Sequence, residues 1–390
     1  MQNLKDVIVI GLGATGSAAL YQLAKKGADV LGIDQFEPPH VFGSSHGDTR
    51  ITRQAIGEGD QYVPLVLRSY EIWKELEKNS GTNLLTITGG LVVEPEESKI
   101  SHGAYHFLQN TIDVAKRFNI AHEILDAQQL QERFPQFVFR GDEKGYYEGS
   151  AGFLHPEKCI EVQLELARKN GAETRYNEKA LSFKTLTDGS VVVLTDKGEY
   201  AAKKLVVSVG PWIAAMLPEF AHLFKVYRQV LFWFDIKGAA EAYAVGNLPV
   251  FMFQLQDGNE IYGFPAVDGP RGGIKVAYEE LLDETTPEKV ERAVSEGEIE
   301  KMYEKCIRPL MPGISRSCIR TATCMYTITP DSGFVIDTLP DNHRIIIASP
   351  CSGHGFKHSA AIGEVLSELV MESKSHFDLS AFSLNRFKKS

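Results

Sequence analysis

The chain has 390 residues, enough for two hydrophobic cores, and its 43% apolar content is that of an ordinary globular protein. A net charge of −10 without a dense Lys/Arg block speaks against nucleic acid and anionic membrane as main partners and leaves small molecules. Five cysteines, Cys159, Cys306, Cys318, Cys324 and Cys351, form an odd set without CxxC spacing, so neither a disulfide framework nor a metal site is expected, and a reducing cytoplasm is the expected location.

Val7-Ile8-Val9-Ile10 is a β-branched apolar run of the kind buried on both faces of a parallel sheet. It meets no cationic leader and is too short to span a bilayer. Gly11-Leu12-Gly13-Ala14-Thr15-Gly16 follows as GxGxxG. In that pattern Gly11 permits the tight turn, Gly13 lets backbone approach a pyrophosphate, and Gly16 lets the next helix pack on its strand. The helix is expected from Thr15 to Lys26, stopping at Gly27. A second strand, Val30 to Ile33, delivers Asp34, whose carboxylate suits the hydroxyls of an adenosine ribose. Strand, turn, helix, strand and acid together predict an adenine dinucleotide, without deciding between NAD and FAD.

The prolines of Gln35 to His40 and the polar, glycine-punctuated Gly43 to Arg50 make a loop that lies along the cofactor. Arg50 and Arg53 point the same way if a helix starts here. An amphipathic helix is expected over Tyr62 to Glu77, and two polar helices near Ser101 to Phe118 and Ala127 to Arg133. A long helix, Pro156 to Asn170, leads to strands near Glu173 to Tyr176 and Val191 to Leu194. Lys204 to Val209 is again doubly buried and rejoins the nucleotide sheet. Gln229 to Phe234, Val250 to Leu255, Glu260 to Phe264 and Gly273 to Tyr278 read as a large antiparallel sheet, and acidic helices are expected over Pro287 to Cys306. A buried strand, Arg344 to Ala348, then precedes Ser352-Gly353-His354-Gly355-Phe356-Lys357 and a helix from Ser359 to Met371. A helix N-terminus reinforced by Lys357 suits the anionic edge of a reduced flavin.

Several segments together carry a family resemblance: Gly11 to Gly16, Pro38-Pro39-His40, His46 to Arg50, Gly57-Glu58-Gly59, Tyr262 to Pro265, Cys324-Met325-Tyr326-Thr327, Pro330-Asp331, Ser352 to Lys357 and Phe382 to Arg386. On these the chain resembles monomeric sarcosine oxidase, N-methyltryptophan oxidase and pipecolate oxidase, flavoenzymes of the D-amino-acid-oxidase-like fold. The resemblance runs almost end to end. It implies an α/β plus α+β architecture in which an FAD-binding Rossmann-like domain (1–85, 146–217 and 325–390) interleaves with a substrate domain (86–145 and 218–324) built on a large, mostly antiparallel sheet.

It also implies FAD, bound covalently through Cys324 and held by Gly11, Gly13, Ala14, Thr15, Gly16, Asp34, Ser44, Arg50, Gly353, His354, Gly355 and Lys357. Arg53 and Lys357 match positions that clamp a substrate carboxylate, Tyr262 lines the pocket, and Lys275 matches the lysine that activates oxygen. Arg50 and His46 match positions that tune the flavin. The family histidine four residues after this lysine is Glu279 here, so the expected pocket is not a copy. The implied reaction is oxidation of a secondary or N-methylated amino acid to an imine that hydrolyses, with O2 reduced to hydrogen peroxide, by a soluble monomer. The alternatives are a dehydrogenase of the same fold passing electrons to a carrier, an NAD-dependent dehydrogenase, and a non-catalytic flavin-binding subunit.

Overall fold

The computed structural model describes residues 4–96, 100–101, 104–255, 260–278 and 281–388. Lys5–Ile10 runs parallel to Val30–Ile33 on one side and to Glu199–Val207 on the other. Glu173–Arg175 extends the sheet beyond Val30–Ile33, and Asn342–Ser349 joins Glu199–Val207 through the pairs Leu205↔Ile345 and Val207↔Ile347. Antiparallel strands Ala180–Thr185, Val191–Thr195 and Val335–Leu339 complete eight strands. Alternation along the first strand sends Val7 and Val9 to one face, where they pack with Leu20, Leu23, Ile160 and Val365 of three helices. Ile8 and Ile10 pack on the other face with Val191, Val193 and Leu223.

Those helices are Ala14–Lys25, Pro156–Lys169 and Ser359–Glu372. The close approach of the first and last is set by Gly363, where an added Cβ would lie 2.5 Å from Ala18.

A second sheet of nine strands is built mainly from Lys225–Ile236, Ile274–Tyr278, Glu260–Phe264, Val250–Gln254, Gly90–Pro95 and Glu143–Glu148. Its pairs are antiparallel except that of Val250–Gln254 with Gly90–Pro95. The fifteen-residue strand Ile314–Ile328 pairs with Lys225–Ile236 along almost its whole length. Strand parity gives the sheet two distinct faces. Phe232, Phe234, Phe251, Phe253 and Ile274 enter an aromatic core with Phe137. Leu231, Trp233, Ala277 and Cys324 point the other way, packed with Tyr262 and Tyr326. The register Trp233↔Lys275 and Phe264↔Lys275 puts Lys275 on this second face. A small sheet of Arg50–Thr52, Gly152–Leu154 and Leu85–Ile87 completes this frame.

Three local expectations need correction. The helix expected from Ser101 begins at Phe107, because Ile100–Ser101 pairs with Ala104–Tyr105 and His106 takes a positive φ of 53°. The acidic stretch from Pro287 becomes helical at Glu296, where Ser295 and Glu298 form a reciprocal cap, and residues 303–307 widen into a π-turn. Arg50 opens a strand rather than a helix, so Arg50 and Arg53 reach different neighbours. Among the described residues no helix is long and apolar enough to cross a membrane.

Candidate active site

A cavity of about 360 Å3 runs from the first glycine loop to the last. Gly11, Gly13, Ala14, Thr15 and Asp34 line one end, and Ser44, Arg50, Tyr326, Thr327, Gly353 and Gly355 line the other. Two glycines of the first loop, Gly11 and Gly16, are sterically required. Gly11 has φ +83°, and a Cβ there would lie 2.6 Å from Ser208 O; at Gly16 it would lie 1.7 Å from Gly11 O. Gly13 has its nearest neighbour, Ser45 Oγ, at 3.6 Å, which leaves its backbone open to a ligand. Gly13 also opens the helix Ala14–Lys25 without a side-chain cap, so the positive end of that helix faces the cavity.

Asp34 is buried. Its carboxylate accepts the N–H groups of Leu12 at 2.7 Å and Phe36 at 2.9 Å, fixing its direction at the edge of the cavity. Among the described residues, the buried hydroxyls Ser44 Oγ and Ser359 Oγ have no protein partner, and both residues line the cavity. A long ligand with polar groups along its length suits such a wall, and FAD is one.

Cations gather at the far end. Lys275 is 3% exposed, and its Nζ donates to Gly47 O at 2.6 Å, Thr49 O at 2.8 Å and Thr49 Oγ1 at 3.1 Å. Burial and the nearby Arg50 hold this ammonium well below a lysine's ordinary pKa. Arg50 donates to Thr49 O and Ser44 O, both at 2.8 Å. His46 is buried, its Nε2 has no partner among the described residues, and burial followed by the field of Arg50 pushes its pKa down to about 3. It is therefore neutral at neutral pH. Cys324 shares the sheet face of Lys275; burial raises its thiol pKa, while Arg50 and Lys275 pull the other way. Tyr262 lies within hydrogen-bonding distance of Tyr326, oxygen to oxygen 3.1 Å.

Arg53 and Lys357 belong to a second cluster, arranged around Glu58. Arg53 is 3% exposed, stacks on Phe107 and donates to Glu58 Oε2 at 2.7 Å. The charges of Arg53 and Lys357 overcome burial and hold the Glu58 carboxyl far below its ordinary value. Lys357 Nζ donates to His354 O at 2.8 Å. His354 stacks on Phe334, its Nδ1 lies 4.0 Å from Glu58, and burial pushes its pKa down to about 4. Gly353 has φ +81°, and Gly355 passes so close to Pro350 O that a Cβ would lie 1.6 Å away. Glu279 lies outside the described residues.

Several residues of this site carried no assigned role in the sequence. Glu58 was marked only by its place between two glycines, and Glu157 looks like any acid in the first turn of a helix. Tyr326 had a usable signal, since it stands two residues from Cys324 on one strand and therefore on the same face.

The family described as FAD dependent oxidoreductase matches residues 6–369. Monomeric sarcosine oxidase of Streptomyces avermitilis is 36% identical over 387 residues, covering 99% of this chain and 98% of that protein. Monomeric sarcosine oxidase of a Bacillus species is 38% identical over 384 residues, covering 98% and 96%. N-methyl-L-tryptophan oxidase of Escherichia coli is 35% identical over 390 residues, covering 98% and 99%. Among solved structures, an amino acid oxidase essential for nikkomycin biosynthesis aligns with a TM-score of 0.85 at 21% identity, over 98% of each chain. L-proline dehydrogenase from P. horikoshii aligns at 0.81 and 19%, over 99% and 98%. These two support the fold alone. By sequence, fold and site, the chain belongs to the FAD dependent oxidoreductase family.

Proposed function

We propose that this protein is a flavin-dependent amino-acid oxidase acting on a secondary or N-methylated amino acid, producing an imine that hydrolyses and hydrogen peroxide. The observation that carries this reading is that Arg53 and Lys357 act together on one buried carboxylate, Glu58. A guanidinium fork that already holds a carboxylate, beside a point charge whose field reaches it, suits the invariant end of an amino acid. Two fixed cations against one fixed acid leave a net positive site, which a substrate carboxylate neutralises. Its amine then lies toward the face that carries Tyr262, Tyr326 and Lys275.

FAD, when bound, would supply the two-electron acceptor for the amine C–H, with O2 as the final oxidant. The chain's part is to orient and to set charge. Arg53 and Lys357 hold the substrate by its carboxylate, and Tyr262 bounds the pocket. The substrate carbon gives up a hydride equivalent, the nitrogen gives up its proton to solvent, and a C=N bond remains for water to cleave. Lys275 offers positive charge where oxygen takes its first electron. Arg50 and a neutral His46 adjust the field at the cofactor. Cys324 forms the covalent tether to FAD, supported by the cations beside its thiol.

The FAD-binding portion comprises 1–85, 146–217 and 325–390 and the substrate portion 86–145 and 218–324, with the strands Glu143–Glu148 and Ile314–Ile328 carrying the chain between them. The protein acts as a cytoplasmic monomer. Glu279 stands in for the family histidine and shifts preference away from sarcosine. The test is anaerobic bleaching of the flavin across N-methyl and cyclic amino acids, followed by mixing with air. Bleaching by none of them would remove the enzyme reading, and slow recolouring in air would favour a carrier-linked dehydrogenase.

A further inference from the structure

Glu157 takes no part in the reading above, yet it braces the turn that holds Lys275. It stands in the first turn of the helix Pro156–Lys169, just after the proline that opens it. Its Oε1 accepts the N–H of Gly47 at 2.6 Å and of Asp48 at 3.2 Å. Gly47 and Asp48 both have positive φ, 96° and 69°. Backbone of this kind turns successive N–H groups toward one side and makes a concave receptor for an anion. Here the anion is a side chain of the protein itself.

The opposite side of the same turn presents oxygens. Gly47 O, Thr49 O and Thr49 Oγ1 receive Lys275 Nζ, and Thr49 O also receives Arg50. The turn has little room to move, since a Cβ on Gly47 would lie 2.5 Å from Leu231 Cδ1, and the Asp48 carboxylate is paired with Arg320. Lysine is a point charge on a flexible four-carbon stem, so its head rests where its acceptors are. Those acceptors are carbonyls of residues 47 and 49, and the N–H groups of 47 and 48 are fixed by Glu157.

We propose that Glu157 is a positioning residue for oxygen reduction, holding the turn 47–49 so that its carbonyls set the Lys275 ammonium. The inference rests on the reading of Lys275 as the group that assists O2. Glu157 also contributes negative charge beside the cations of Arg50 and Lys275, which favours the charged amine.

The experiment compares E157A, E157Q and K275M in the flavin-loaded protein, timing bleaching by substrate without oxygen separately from recolouring by O2. The amide side chain of E157Q retains an acceptor oxygen for Gly47 and Asp48, so it serves as the rescue. E157A should slow recolouring on the order of tenfold or more while bleaching changes less than about twofold, and E157Q should stay within about threefold of the parent in both. Amide hydrogen exchange in the same proteins should lose protection at residues 47 and 48 in E157A and keep it in E157Q. If K275M recolours slowly but E157A matches the parent, the role of Glu157 is overturned and that of Lys275 stands. Equal slowing of both half-reactions in E157A, or unchanged exchange at 47 and 48, also overturns it. If K275M recolours at the parental rate, the reading of Lys275 falls, and the proposal for Glu157 falls with it.

Discussion

Arg53 and Glu58 form a buried ion pair at 2.7 Å, with side chains 4% and 14% exposed. The cation expected to receive a substrate is therefore already engaged with the protein. Under the proposed function a substrate carboxylate would compete with Glu58 for the guanidinium, and Lys357 supplies the remaining field on that acid. Ligand affinity would then be a difference between two similar bonds.

Removing the two partners should therefore have unlike effects. R53M leaves Glu58 buried without its main counter-charge, which costs on the order of 3–5 kcal/mol of stability and removes a substrate contact. E58Q leaves Arg53 free for substrate and should lower the KM for amino acids or leave it unchanged, with a smaller stability loss. Urea unfolding and steady-state kinetics on both variants check this. A rise in KM of tenfold or so in E58Q would mean that Glu58 aligns Arg53 rather than competing for it.

The proposed covalent tether can be tested by mass. Cys324 lies buried on the Lys275 face, and Cys351 lines the cavity itself. Both thiols are raised by burial, but Arg50 and Lys275 oppose that rise at Cys324, while Cys351 has a serine and a threonine hydroxyl beside it. Thiolate chemistry favours the site with cations. Acid precipitation of the C324A protein should release all its yellow colour, C351A should retain it, and peptide mapping should find the flavin mass on the Cys324 peptide. Flavin found on the Cys351 peptide would reverse the assignment.

The first strand-helix-strand unit was legible because its signals are local: a β-branched run, three spaced glycines and an acid at the end of the next strand. The cation-bearing sheet face was partly legible, since alternation along a strand is also local. Arg53 was harder. Its direction depends on Arg50–Thr52 being a strand, and that strand exists by pairing with Gly152–Leu154, far along the chain. Glu58 and Glu157 were hidden for the same reason, because an acid gains a role from the groups folding brings to it. Over residues 287–295 the expected helix gives way to a turn and an irregular segment whose Arg292 binds Val41 O and Phe42 O across the cofactor loop, a tertiary contact that periodicity does not contain.

Three histidines held neutral by burial, His46, His354 and His358, predict an acid-sensitive fold. His46 and His354 have folded-state pKa values of about 3 and about 4 against an ordinary 6.5. The folded protein keeps both neutral while the unfolded chain binds protons below 6.5, so stability present above that pH is lost as pH falls toward 4 and then 3. Between about pH 7 and about pH 5 the loss should be about 2 kcal/mol for each histidine. Glu58, with a lowered folded-state pKa, adds loss in the same direction below its ordinary value of 4.5. Unfolding by urea at the two pH values tests this, with H46N expected to flatten the slope by one histidine's share. A stability unchanged between the two would show that these rings open to solvent.

The last loop offers a steric test of how FAD is retained. At Gly355 a Cβ would fall 1.6 Å from Pro350 O, a backbone atom that cannot swing aside as a side chain does. G355A must therefore shift the turn that carries Gly353 and Lys357, both at the flavin end of the proposed site. Gly149 is the control, since a Cβ there meets nothing within 4 Å and its φ is not positive. G355A should purify with a flavin-to-protein absorbance ratio reduced by half or more, at an order-of-magnitude cost of about 1–3 kcal/mol for the displaced loop. G149A should match the parent in both ratio and melting temperature. Full flavin content in G355A would mean that the loop yields without disturbing the cofactor, and that retention rests on Cys324 and the N-terminal glycines instead.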